Sequence, residues 1–297
     1  MRKGYIRPSK LPQTLLVFFV PKKDRKKRMV QDYQYLNSWT IKNNYPLLLI
    51  SDLIDSIEKK KVFTKMDLRW GYNNVRIKEG DEWKAVFLMP EGSFEPMVIF
   101  FGLTDSPATF QAMMNDLLRD LVMEEKVAVF IDNVMIAMET EEGYNEIVEE
   151  VLRRLEENDL FVKPEKYIWK VREVGFWGVI IGEDRVDMEK EMVQEIIEWP
   201  VPRSVKDVQK FLGLANYYRW FVKDFTKIAK LLYKITRKEN KWGWGERQQK
   251  AFEELKERFT TEPVLVTPDL DKEMRVEVDM SDFAIEGVLL MKCEDEK

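Results

Sequence analysis

The chain has 297 residues, longer than one compact domain usually runs, so two or three units are expected, each able to bury a core. Hydrophobic residues make up 45% and charged residues 34%, which argues for a folded, soluble protein and against disorder. A single cysteine, Cys293, excludes a disulfide framework; the lack of histidine excludes histidine triads and histidine zinc sites, so carboxylates are the metal ligands left.

The apolar run "LLVFFVP" is too short to span a bilayer and has no signal-peptide layout. No membrane partner is expected, and a reducing compartment, cytoplasmic or nuclear, fits the cysteine usage. Net charge is −5, yet residues 1–28 carry ten Lys and Arg against one acid, Asp24. Such a patch suits phosphates, although a solvated basic segment is the competing reading.

In chain order, "TLLVFFVPKKDRKKRMVQDYQYL" predicts two short strands joined by a basic turn. "KKVFTKMDL" predicts a strand ending in Asp67, and Gly71 then breaks the pattern. "DEWKAVFLM" and "FEPMVIFFGL" predict a hairpin around "PEGS". Ser106-Pro107 predicts a helix start, with Ser as N-cap and Pro at the first turn, running through "ATFQAMMNDLLRDLV". "KVAVFIDNVMIAM" is an apolar run with Asp132 and Asn133 at its centre, which predicts a hairpin turning at that dipeptide. The same dipeptide is also a candidate for chemistry, and local sequence leaves both readings open.

"GYNEIVEEVLRRLEEN" has an apolar stripe of Ile147, Val148, Val151, Leu152 and Leu155 at helical spacing. Strands follow at "DLFVKP" and "EVGFWGVIIG". From "MEKEMVQEIIEWPVPR" the pattern is helical, with a break at Pro200 and Pro202 and a capping box at Ser204 and Asp207. Further helices are expected at "FTKIAKLLYKIT" and "ERQQKAFEELKERF", and β structure at "PVLVTP" and "EMRVEVDMSDFAIEGVLLMK". The expected fold class is α+β, helices on an antiparallel sheet over 1–182, then a helical unit over 183–258 and a β segment over 259–297.

Asp67 ends one strand and Asp132 sits at a hairpin tip. If those strands are neighbours, both carboxylates leave the sheet at one edge and repel unless a cation lies between them, a layout suited to Mg²⁺ and two-metal phosphoryl or nucleotidyl transfer. The spacing alone is a weak signal, because strand-end Asp residues are common.

Several ordered blocks then carry a resemblance: "VFFVPKKD", "RMVQDYQYLN", "TIKNNYPL", "VFTKMDLRWGY", "FFGLTDSPATFQ", "VAVFIDNV" and "EVGFWGVIIG". The sequence resembles the reverse transcriptases of gypsy-type LTR retrotransposons, and "VEVDMSDFAIEGVLL" is similar to the start of their RNase H domain. The resemblance implies a right-hand polymerase of fingers, palm and helical thumb, with an RNase H-like β segment. It implies metal-binding carboxylates at Asp67 and Asp132 for Mg²⁺ or Mn²⁺, with the Leu68 carbonyl alongside. Lys22 and Arg28 match the cations that hold a dNTP, Tyr72 the aromatic that crowds the sugar 2′ position, and Gln111 a contact to the nascent base pair. Phe176, Trp177 and Gly178 match the primer grip; Lys163 or Lys166 is a candidate general acid. The implied partners are an RNA or DNA template–primer duplex and dNTP, and oligomeric state is not legible.

The pattern breaks at Asn133, where the family has a second Asp, so an impaired metal site is expected. Arg25, Gln34, Leu11 and Leu48 also depart from it. Asp279 matches the first RNase H carboxylate, but the stretch bearing the other acids is absent, so RNase H activity is not expected. The alternative is a non-catalytic nucleic-acid-binding relic of the same fold.

Overall fold

The computed structural model describes residues 4–12, 14–21, 27–46, 50–57, 59–183, 185–261, 265–266, 273–281 and 284–291. They divide into two units, Met1–Val174 and Gly175–Lys297. No helix among the described residues is long and apolar enough to cross a membrane.

The first unit begins with β1 (Ile6–Pro8) and the hairpin β2 (Val17–Pro21) and β3 (Lys27–Gln31). The predicted basic turn, with Lys22 and Arg25, lies outside the described residues, as does Leu48. Helices α1 (Gln34–Trp39) and α2 (Ile50–Ile57) lead to β4 (Val62–Asp67). Strands β5 (Phe87–Met89) and β6 (Gly92–Pro96) form the hairpin expected around Pro90, and β6 also pairs with β1. The predicted start of β5 is a 3-10 turn over Glu82–Ala85 instead.

Helix α3 (Ser106–Leu117) starts one residue before the expected position. Asp105 is at the cap, while Ser106 is buried inside the first turn and its hydroxyl donates to the Phe100 carbonyl at 3.3 Å. The predicted long helix ends at Leu118, and a short α4 (Arg119–Met123) follows. Strands β7 (Val127–Phe130) and β8 (Asn133–Met138), helix α5 (Tyr144–Glu157) and β9 (Ile168–Val171) complete the unit. "DLFVKP" forms only an isolated bridge, Leu68 to Val162, and the strand lies later, at β9.

The central sheet is antiparallel in the order β7-β8-β4-β9. Alternation along a strand sorts its residues to two faces. Val62 and Met66 of β4, Val127 and Val129 of β7, and Val134 and Ile136 of β8 join Phe110 and Met114 of α3 and Val148, Val151 and Leu155 of α5 in one core. The α5 stripe read from spacing is thus the packed face. The Thr64 hydroxyl accepts from Tyr144 on α5 at 2.6 Å, tying helix to sheet. By the same alternation Asp67 and Asn133 lie on the sheet face opposite those helices.

In the second unit β10 (Glu173–Phe176), β11 (Val179–Gly182), β12 (Arg185–Met188) and β13 (Leu265–Val266) form a sheet in that order; β10 begins before the unit boundary. Helices α6 (Lys190–Ile197), α7 (Val205–Tyr217), α8 (Phe225–Thr236) and α9 (Glu246–Thr261) match the helical stretch of the sequence. Phe211 of α7 meets Phe252 of α9 with ring centroids 4.6 Å apart, a tilted pair that anchors the bundle core. Ser204 caps α7 as expected, its hydroxyl accepting from the Asp207 N–H at 3.2 Å. A hairpin of β14 (Met274–Ser281) and β15 (Ala284–Met291) sets Asp279 opposite Glu286.

Candidate active site

Asp67 is the last residue of β4 and stands directly across from Asn133, the first residue of β8. Beyond that pair the Leu68 N–H donates to the Asp132 carbonyl at 2.7 Å, so the ladder carries on into the turn. Phe130 pairs with Asn133, which makes Ile131 and Asp132 the two-residue connection. The turn therefore sits one residue earlier than the sequence suggested, and its left-handed residue is Ile131, with φ 55°. Gly71 opens the 3-10 turn Gly71–Asn74, and a Cβ there would meet the Asp132 Cβ at 3.1 Å and the Phe110 ring at 3.7 Å. A glycine is what lets that backbone pass so close to Asp132.

Two lysines from the segment after α5 face the carboxylates. The Lys163 main-chain N–H donates to the Asp67 carbonyl at 2.8 Å, which brings its side chain to the end of β4. Its ammonium bonds Asp67 Oδ1 and lies 3.9 Å from Asp132 Oδ2, while Lys166 Nζ reaches Asp67 Oδ2 at 2.8 Å. Asp67 and Asp132 thus converge on one ammonium group. The Asn133 amide donates to Asp132 Oδ1 at 3.4 Å, a long contact.

The two carboxyls are pushed in opposite directions. Burial works to raise Asp67, but bonds to Lys163 and Lys166 outweigh it and hold the carboxyl below its ordinary value. Asp132 is raised, first by burial and then by the charge of Asp67, with Lys163 and Lys166 offsetting part of this. The bond to Asp67 raises Lys166 in turn. Burial, and then Asp132, raise the Tyr72 hydroxyl. Tyr72 sits beside this cluster with its ring edge-on to Phe101 at 4.9 Å and Phe110 at 5.9 Å.

The remaining sequence candidates divide. Leu68 is fully buried beside the pair. Gln111 is 1% exposed, and its amide engages the β7–β8 turn, so in this structure it faces protein and not solvent. Lys22 lies outside the described residues; Arg28 is placed on β3 opposite Val20, with only its backbone described. Phe176, Trp177 and Gly178 belong to the second unit, where Phe176 is buried and Trp177 is 39% exposed. Trp177 and Gly178 both have positive φ, at 53° and 85°, and form a tight turn between β10 and β11. Sequence reasoning missed what holds this turn: Tyr217 Oη donates to the Trp177 carbonyl at 2.8 Å and Tyr218 Oη to that of Gly178 at 3.3 Å. Paired aromatics at the end of a helix carry no local signal of such a role.

Among the described residues no three His, Cys, Asp or Glu side chains cluster as a metal cage. Asp67 and Asp132 nevertheless offer hard oxygen donors, and the ammonium that both face marks a position where positive charge is favoured. These residues fit one divalent ion; the amide at 133 supplies no third charge.

A family model described as "Reverse transcriptase (RNA-dependent DNA polymerase)" matches residues 20–181. The chain belongs to this family. A second model, an RNase H-like domain found in reverse transcriptase, matches residues 244–297. The Transposon Tf2-7 polyprotein of Schizosaccharomyces pombe is 34% identical over all 297 residues, which make up 22% of that protein. The chain therefore spans about a fifth of the length of such curated relatives. Among solved structures, a foamy viral protease-reverse transcriptase in complex with double-stranded DNA aligns with a TM-score of 0.85 at 25% identity, covering 94% of this chain and 49% of that one. A foamy viral protease-reverse transcriptase in complex with an RNA/DNA hybrid aligns at 0.82 and 24% identity, over 94% and 38% respectively. The expected α+β reverse transcriptase architecture is the observed one.

Proposed function

We propose that this chain is the polymerase region of a gypsy-type LTR retrotransposon polyprotein, an RNA-directed DNA polymerase whose metal site is weakened at Asn133. The observation that carries the reading is the convergence of Asp67 and Asp132 on one ammonium group at the end of strands β4 and β8. The substrates are a template–primer duplex of RNA or DNA and dNTP, the chemistry of the relatives carried over to this chain. Asp67 and Asp132 would hold one Mg²⁺ or Mn²⁺. In two-metal nucleotidyl transfer one such ion would lower the pKa of the attacking hydroxyl and the other would stabilise the leaving oxygens.

The chain's own residues supply the rest. Tyr72, its ring edge-on to Phe101, would crowd the sugar 2′ position and so select deoxynucleotides. Lys22 and Arg28 bind triphosphate oxygens, and Arg28 is suited to a two-donor grip. Lys163 or Lys166, each ion-paired with Asp67, would give a proton to the departing pyrophosphate. Trp177 and Gly178 offer a turn for the primer backbone.

The test is Mg²⁺- or Mn²⁺-dependent extension of a primer on an RNA template, with the unaltered chain beside Asn133→Asp. Restoring the acid is expected to speed extension about 10²-fold or more, by analogy with the loss of one charge-organising group elsewhere. Asp67→Asn in that background abolishes it. Equal extension by the unaltered chain would show that Asn133 impairs nothing.

A second reading, a non-catalytic binder of the same duplex, is favoured by the charge balance: two lysines already neutralise the two carboxylates. It predicts no extension by either chain, together with duplex binding that weakens steeply as salt rises.

A further inference from the structure

Among the described residues strand β7 is the edge of the central sheet, with no partner strand on one side of its backbone. At the end that carries Asp132 a side chain takes the place of that strand. Gln111 Oε1 accepts the Ile131 N–H at 2.7 Å and Gln111 Nε2 donates to the Val129 carbonyl at 2.9 Å. Residues two apart on an edge present N–H and C=O in the same direction, and the amide answers both as a neighbouring peptide would. The second proton on Nε2 goes to Asn115 Oδ1 at 2.8 Å, and the Asn115 amide donates to Tyr45 Oη at 2.9 Å. Both polar atoms of a side chain that is 1% exposed are thus engaged.

What this amide holds is unusual. Ile131 sits at φ 55°, a region that β-branched residues rarely enter and that two-residue turns normally fill with Gly, Asn or Asp. Its side chain also packs against the main core cluster. A residue held against its own preference persists only where its surroundings over-determine it. Here the amide bonds hold the backbone and core packing holds the side chain, and Asp132 leaves the chain at the next position.

We infer that Gln111 is a positioning residue for the turn: its buried amide locks Ile131 in the left-handed conformation and thereby aims Asp132 at Asp67. The role in metal binding rests on the proposed polymerase function; the role in holding the turn does not. Gln111 acts from behind the sheet edge, by way of Ile131, and touches neither carboxylate.

The test is a double-mutant cycle on the full chain between Gln111→Leu and Ile131→Gly, read by urea denaturation and by Mn²⁺ binding in electron paramagnetic resonance. Gln111→Leu is expected to weaken Mn²⁺ about 10- to 100-fold, the usual effect of losing a residue that orients a ligand. Ile131→Gly removes the conformational conflict, so the double variant is expected to recover most of that affinity and to unfold at a higher urea concentration than the two single effects add up to. Asn115→Ala, which removes one support of the amide, is expected to weaken Mn²⁺ in the same direction by a smaller factor and serves if Gln111→Leu does not fold. Strictly additive denaturation effects, or unchanged Mn²⁺ affinity in both Gln111→Leu and Asn115→Ala, overturn the inference. If the unaltered chain binds no Mn²⁺ the metal reading fails by itself, and the denaturation cycle decides the turn: non-additivity supports the inference and additivity sinks it.

Discussion

Asp67→Asn and Asp132→Asn are chemically the same change a few ångströms apart, and the structure gives them opposite signs in the metal-free protein. Asp67 has a side chain 10% exposed that faces two ammonium groups, with Lys163 24% and Lys166 60% exposed. Breaking one side of a fully buried pair costs about 3–5 kcal/mol, and an exposed pair is worth about 0–1. With one partner largely buried and the other largely in water, Asp67→Asn should cost about 2 kcal/mol, most of it through Lys163.

Asp132 is raised by burial and by Asp67, so its charge opposes folding. Its side chain is 38% exposed and water screens it, so Asp132→Asn should gain less than about 1 kcal/mol. The assay is urea denaturation at pH 7, low salt and excess chelator. Asp67→Asn unfolding at an equal or higher urea midpoint than the unaltered chain, or Asp132→Asn losing more than Asp67→Asn, would refute the reasoning.

The pH dependence separates the two further. Asp67 titrates below its ordinary value of 3.8 in the fold. Its contribution is therefore complete above that value and is lost as pH falls through the lower, folded one. Asp132 titrates above 3.8 in the fold, so its penalty is present at neutral pH and vanishes below 3.8. The deficit of Asp67→Asn closes only in strong acid, and the gain of Asp132→Asn is gone by then.

Asn133 stands in register across from Asp67, so Asn133→Asp should destabilise the chelated chain by about 0.2–1 kcal/mol, the usual cost of like charges directly opposed. The same variant should be stabilised more than the unaltered chain when Mg²⁺ is added, by about 1.4 kcal/mol at a tenfold excess over Kd; thermal melts with and without the ion check both signs. At Gly178, where φ is 85°, an added Cβ would overlap the Tyr218 hydroxyl, so Gly178→Ala should cost about 1–3 kcal/mol, with Tyr218→Phe in the same chain restoring part of it in urea denaturation. Ser204→Ala should cost about 1 kcal/mol in the same assay, because the Asp207 N–H at the start of α7 loses its acceptor.

The features legible in the sequence are those set by nearby residues. Val148, Val151 and Leu155 at helical spacing became the buried face of α5, and Ser204 three residues before Asp207 became a formed cap. The ends of β4 and β8 followed from apolar runs that stop at polar residues. What failed locally failed for tertiary reasons. Asp132-Asn133 is the better turn dipeptide by intrinsic preference, yet the turn falls on Ile131-Asp132 because Gln111 holds the Ile131 N–H from another element. Ser106 looks like a cap but is drawn inward to the Phe100 carbonyl, and Asp105 takes the end position. The lysines at the site lie 96 and 99 residues from Asp67, and their sequence gives no sign of which carboxylate they meet.

That long-range pairing changes what Asn133 means. On the proposed polymerase reading, an amide at 133 counted alone would simply be a lost ligand. Counted with its neighbours, it leaves two acids facing two ammonium groups, a site of no net charge. A divalent ion entering it must either move Lys163 away from both carboxylates or sit beside a like charge, and both oppose binding. A second acid at 133 would tip the same site negative before any ion arrives, at the cost of facing Asp67 across the ladder. On the proposed metal-binding role, stability without the ion and affinity for it would therefore pull position 133 in opposite directions.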